Sequence, residues 1–159
     1  MREIVFDTET TGLSPKNGDR VVEIGCLELF NRLPTGETFH VYLNPERDMP
    51  AEAEAVHGLS EAFLADKPLF ADVADDLLAF VGDAALIAHN ASFDFNFAHS
   101  HYFQSLATDD WYQWKHNNNV ICSLELLRAI YLFKEKLSTI EIPNSRFAYP
   151  QFSLDEVSK

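Results

Sequence analysis

The segment FDTETTGL, residues 6–13, sets two carboxylates, Asp7 and Glu9, one residue apart and directly behind the apolar run Ile4-Val5-Phe6. Residues i and i+2 of a strand face the same way. At the end of a strand, Asp7 and Glu9 would therefore converge, repel, and drive one of the pair to protonate. A hard divalent cation such as Mg²⁺ removes that conflict, because it takes oxygen ligands and pairs one or two carboxylates with a substrate phosphate. The flanking residues suit the same partner. Thr8, Thr10, Thr11 and Gly12 can offer backbone N–H groups to a phosphate or sugar, and Leu13 can press on a base. A second segment, AHNASFDFNF at 88–97, has a short apolar strand, then His89 and Asn90, then Asp94 at the start of a helix. An Asp in that place commonly caps the helix. Here it would also deliver a third carboxylate from a neighbouring strand end, giving the oxygen-rich cluster that two-metal phosphodiester hydrolysis uses.

The elements that must position these residues are readable from hydrophobic period. Residues 3–8 read as a buried strand, 21–30 as a second and 38–43 as a third, with the turn LPTGE at 33–37 between the last two. After Pro68 the period changes. Phe70, Val73, Leu77, Leu78 and Val81 recur at helical spacing, which predicts an amphipathic helix over 69–81. Residues 85–88 read as a short buried strand, 94–106 and 123–133 as helices, and the polar, aromatic stretch 109–119 as a surface loop. Strands followed by alternating helix and strand predict an α/β fold, a mixed β-sheet flanked by helices.

Composition narrows the class. A chain of 159 residues that is 47% hydrophobic, with 13 Phe, predicts one packed globular domain over 1–159. No apolar run approaches the ~20 residues needed to span a bilayer, and the first residues lack the pattern of a secretory leader. Two cysteines are too few for a disulfide framework, which predicts a reducing, cytoplasmic setting. The formal net charge of -13 is the wrong sign for holding nucleic acid through basic residues alone. It is concentrated in residues 1–96, where 18 acids face 6 bases. A metal could neutralise some of those acids.

FDTETTGL, VVEIGCLEL, TFHVYLNPERDMPAEAEAVHGLS and AHNASFDFNF, in that order, resemble the proofreading 3′→5′ exonucleases of bacterial replication. These are the epsilon subunits of DNA polymerase III, in the DEDD group that uses a catalytic histidine. The resemblance is dense over residues 2–97. It implies a ribonuclease H-like fold and a two-metal exonuclease, with Mg²⁺ or Mn²⁺ held by Asp7, Glu9 and Asp94 as the catalytic carboxylates. It implies nucleotide contacts from Thr8, Thr10, Leu13, Glu52, His57 and Asn90. It also implies a single-stranded DNA 3′ end as substrate and the polymerase's catalytic subunit as partner.

The resemblance thins over 98–159. Its third motif, a His with an Asp five positions on, recurs only as His89 and Asp94, which already belong to the second motif. Cys122 stands where the family segment usually begins with Asp, and FSLDEVSK at 152–159 resembles the helix that precedes the third motif. The expectation is a chain truncated or divergent at that motif. This leaves two other readings open: a catalytically silent module that binds nucleic-acid ends, and an exonuclease acting on RNA 3′ ends.

Overall fold

Strand β1, Arg2–Thr10, carries the first carboxylates through the middle of the sheet. The computed structural model describes residues 1–106 and 120–123. β1 pairs antiparallel with β2, Val21–Phe30, which pairs antiparallel with β3, Leu33–Tyr42. On its other side β1 runs parallel to β4, Ala85–Ala88, and β4 runs parallel to β5, Val120–Cys122. Among the described residues the order β3-β2-β1-β4-β5 makes a mixed five-stranded sheet, and helices complete the α/β architecture. The described residues fall within one unit, Met1–Leu127.

Parallel neighbours need a crossover. The chain reaches β4, the parallel neighbour of β1, from β3 at the sheet edge through α1, Ala51–His57, α2, Glu61–Leu64, and α3, Phe70–Val81. Helix α3 buries Phe70, Ala74, Leu77 and Val81, one stripe at helical spacing. Asp72 closes its first turn by accepting the Leu69 N–H. At its far end the Arg2 guanidinium donates to the Phe80 and Val81 carbonyls, which otherwise lack helical partners, and pairs with Glu28. Helix α4, Ala91–Leu106, crosses from β4 toward β5. The core between sheet and helices holds Ile4, Phe6, Ile24, Leu77, Leu86 and Phe97. Cys26 lies in it too, its thiol pushed up to about 12 by burial; both Cys26 and Cys122 are free. Among the described residues no helix is long and apolar enough to cross a membrane.

Three expectations need correction. The β2–β3 turn is not at 33–37. It is the two-residue turn Asn31-Arg32, whose positive φ values of 51° and 70° suit the twist of a tight hairpin. Pro34 and Gly36 instead sit within the edge strand β3, where the register shifts and a missing N–H costs little. Helices α1 and α2 were not foreseen, because AEAEAVH and EAFL are short and show no apolar stripe. Helix α4 begins three residues before Asp94, so Asp94 lies inside its first turn and does not cap it. The helix expected over 123–133, beyond Ser123, and the loop expected over 109–119 lie outside the described residues.

Candidate active site

Alternation along β1 puts Asp7 and Glu9 on one face and Phe6, Thr8 and Thr10 on the other, where the latter three are buried. Asp94 comes to the strand from α4. It is 3% exposed, and its Oδ1 accepts both the Thr8 N–H, at 3.0 Å, and the Thr8 hydroxyl, at 2.7 Å. This double hydrogen bond joins segments 86 residues apart and fixes the carboxylate against the strand that carries the other two.

The carboxylates feel one another. Burial raises the Asp94 pKa; the Thr8 hydroxyl opposes the rise and the Asp7 charge adds to it. Burial also raises that of Glu9; His57 opposes, while Asp7, Glu23 and Asp94 reinforce. Among the described residues none of the three takes part in an ion pair. An all-oxygen set under unrelieved repulsion fits a hard divalent cation in kind. The expected closed cluster is not formed, however. Among the described residues no three His, Cys, Asp or Glu side chains stand close enough to hold an ion as they are. Like charges hold apart, and Thr8 keeps one oxygen of Asp94 occupied.

Beside the carboxylates lies a cleft of about 460 Å³. It draws Thr8, Glu9 and Thr10 from the end of β1, Leu13 from the segment after it, and Glu52 and His57 from α1, so six of the expected residues share one cavity. Leu13 is 86% exposed and Val56, also on the lining, 82% exposed. Both apolar side chains are free to close on a flat ring. Gly58, with φ 77°, ends α1 just after His57. The His57 Nδ1 accepts the Leu59 N–H at 3.1 Å, so the neutral ring carries its hydrogen on Nε2. That nitrogen is buried and among the described residues has no partner, which leaves it a donor for a ligand.

The threonines do something other than expected. The Thr8 N–H is committed to Asp94, and the Thr11 N–H to the Arg20 carbonyl at 2.8 Å. The Thr10 hydroxyl donates to the Gly12 carbonyl at 2.6 Å. They build the frame of the cleft instead of offering these groups to a phosphate. Gly12 is required for closeness: a Cβ there would stand 2.4 Å from the Asp19 carboxylate, which accepts the Ser14 N–H and pairs with Arg47.

Asn90 is exposed at the entrance to α4, and neither it nor Asp7 nor Asp94 lines the cleft. His89 is tied to the residue just past β5, its Nδ1 3.0 Å from the Ser123 hydroxyl. That is the contact of a residue shaping the loop. Sequence reasoning missed Val56 and Phe93 on the cleft wall; Phe93, the neighbour of Asp94 in ASFDFNF, could have been found by that position alone.

A family model described as exonuclease matches residues 4–156. The chain is 59% identical to DNA polymerase III subunit epsilon of Rickettsia conorii over 97 residues, covering 61% of this chain and 42% of that one. It is 47% identical to the Rickettsia typhi subunit over 159 residues, covering all of this chain and 62% of that one. To the Escherichia coli subunit it is 48% identical over 100 residues, 60% of this chain and 41% of that one. The chain thus spans about 41% to 62% of the length of these relatives. Among solved structures it is similar in fold to exonuclease I, with a TM-score of 0.74 at 19% identity, covering 85% of this chain and 31% of that one.

Proposed function

The chain belongs to the exonuclease family, and from that premise we propose that it is a 3′→5′ exonuclease that removes the terminal nucleotide of single-stranded DNA. The observation that carries this reading is the shared cleft. Two segments some 40 residues apart in sequence meet around one cavity, with two carboxylates, Glu9 and Glu52, on its wall and two more, Asp7 and Asp94, within electrostatic reach of Glu9.

Asp7, Glu9 and Asp94 would hold divalent cations, Mg²⁺ or Mn²⁺, by their oxygens. Bound there, the cations would supply Lewis acidity and activate water for attack on the terminal phosphodiester. The chain's own groups do the rest. Leu13 and Val56 grip the terminal base from two sides. His57 Nε2–H donates to a phosphate or sugar oxygen of the terminal nucleotide, and Glu52 accepts from a sugar hydroxyl. Thr8 holds Asp94 to the strand, and Thr10 and Thr11 hold the backbone that presents Leu13. Asn90 sets the entry of α4 and so the height of Asp94. The epsilon relatives support a further assignment: proofreading beside the catalytic subunit of a replicative polymerase, in the cytoplasm. The whole of residues 1–159 would form the exonuclease domain.

The test is digestion of a 5′-labelled single strand by the purified chain. Stepwise shortening from the 3′ end with Mg²⁺ or Mn²⁺, abolished by chelator and by Asp94→Ala, is expected. Internal cuts, or shortening that survives chelator, would overturn the assignment.

A further inference from the structure

Another carboxylate stands beside the cation-binding set. In the β1–β2 register Glu9 is directly opposite Glu23, and Asp7 opposite Gly25. In the β2–β3 register Gly25 is opposite His40, and Glu23 opposite Tyr42. Directly paired residues put their side chains on one face, with Cβ atoms about 4.5–5.5 Å apart. Asp7, Glu9, Glu23 and His40 therefore share one face of the sheet. Like charges directly opposite repel, and the Glu23 charge is among those that raise the Glu9 pKa. At Gly25, between Asp7 and His40, a Cβ would meet no atom of the described residues within 4 Å, so this part of the face is open. What turns Glu23 toward β3 is His40, whose Nε2–H donates to Glu23 Oε1 at 2.6 Å. The His40 ring is itself braced. It stands edge-on to Tyr42 with centroids 4.9 Å apart, and Tyr42 stands edge-on to Phe63 of α2 at 5.0 Å.

A cation that must also take a substrate phosphate has room for few protein carboxylates. A surplus one fills a coordination position and adds negative charge where the phosphate has to come. We propose that His40 is a positioning residue: it holds Glu23 off the cation that Asp7 and Glu9 bind, and so keeps a coordination position for the phosphate of the terminal nucleotide. With the His40 donor removed, Glu23 is free to cross to the cation. The cation is then held more tightly and the nucleotide less tightly. Loss of a merely structural residue weakens both. The proposal rests on the exonuclease reading and adds to it two residues, on β2 and β3, that do not line the cleft.

The test is calorimetric titration of the full chain with Mn²⁺ alone, and then with thymidine monophosphate at saturating Mn²⁺. His40→Phe keeps an aromatic ring beside Tyr42 and removes the donor. It is expected to bind Mn²⁺ about three- to tenfold more tightly and the monophosphate about tenfold more weakly. His40→Val, suited to a strand, is a second donor-free variant, and the same opposed shifts are expected of it. Added to Glu23→Gln, His40→Phe should change neither affinity, because the surplus carboxylate is gone. His40→Gln, which keeps an N–H donor, should match the unaltered chain with both ligands. Weakening of both ligands by the donor-free variants, no change in either, or opposed shifts that persist in Glu23→Gln would overturn this proposal while leaving the exonuclease reading intact. An unaltered chain that binds no Mn²⁺ would overturn the cation site and this proposal together.

Discussion

Asp94 has two jobs that pull against each other. Its buried carboxylate is anchored by Thr8, and it is offered to a cation together with Asp7 and Glu9. Removing the anchor while keeping shape separates the two. Thr8→Val deletes the hydroxyl donor to a buried charged group and is expected to cost about 1.5–3 kcal/mol in denaturant unfolding. It should also weaken Mn²⁺ binding. Relieving the repulsion does the opposite. Asp7→Asn removes a charge that raises both Glu9 and Asp94, so in chelator its melting temperature should equal or exceed that of the unaltered chain. With saturating Mn²⁺ the unaltered chain should gain several degrees through binding to the folded state, and Asp7→Asn should gain none. A variant that is destabilised in chelator and still shifted by Mn²⁺ would show that Asp7 is not part of the cation site. His57 has a different signature. Its Nε2, unpartnered among the described residues, is a donor, and His57→Ala should weaken nucleoside monophosphate about tenfold, the worth of one hydrogen bond near 1.4 kcal/mol. Mn²⁺-induced stabilisation without nucleotide should be retained.

At the scale of elements, α4 is held in place by a residue that no motif announces. His101 is 2% exposed and accepts the Val21 N–H on Nε2 at 2.9 Å, so α4 caps a backbone donor at the start of β2. Its ring also lies 5.3 Å from that of Phe70 on α3. Burial, with the charge of Arg20 adding, pushes its pKa down to about 4 from an ordinary 6.5. The unfolded chain therefore binds a proton that the folded chain refuses. The neutral ring's contribution is complete above pH 6.5 and is lost as pH falls toward 4, about 3 kcal/mol in all. Glu9 and Asp94 act in the other direction. Their raised values mean that stability is lost as pH rises through the carboxylate range. The clean measurement is thus a difference: His101→Gln should be less stable at pH 7, and that deficit should shrink as pH falls from 6.5 to 4. A deficit that is constant with pH would contradict the assignment.

How far these elements could be read beforehand follows from the physics of each. β1, β2, β4 and α3 carry unbroken apolar runs or a clear stripe, and their expected bounds lie close to those observed. β3 is an exposed edge strand containing Pro34 and Gly36, so turn chemistry hid it. α1 packs too little to leave a stripe, yet it delivers His57. Six of the expected residues line one cleft, but the use of the threonines as framework depended on partners 9 and 86 residues away, which no local pattern encodes.

At the scale of the whole molecule, a net charge of -13 forbids attraction of a phosphate backbone by the surface at large. Any nucleotide affinity must come from a local inversion of charge where Asp7, Glu9 and Asp94 lie beside the cleft. Calorimetric titration of thymidine monophosphate into the full chain, in Mn²⁺ and in chelator, tests this most directly, because it reads the assembled site without requiring turnover. Saturable one-to-one binding in Mn²⁺, absent in chelator and absent in Asp7→Asn, is expected. Equal binding in chelator, or binding in Mn²⁺ that survives Asp7→Asn, would contradict a metal-dependent nucleotide site built on these carboxylates.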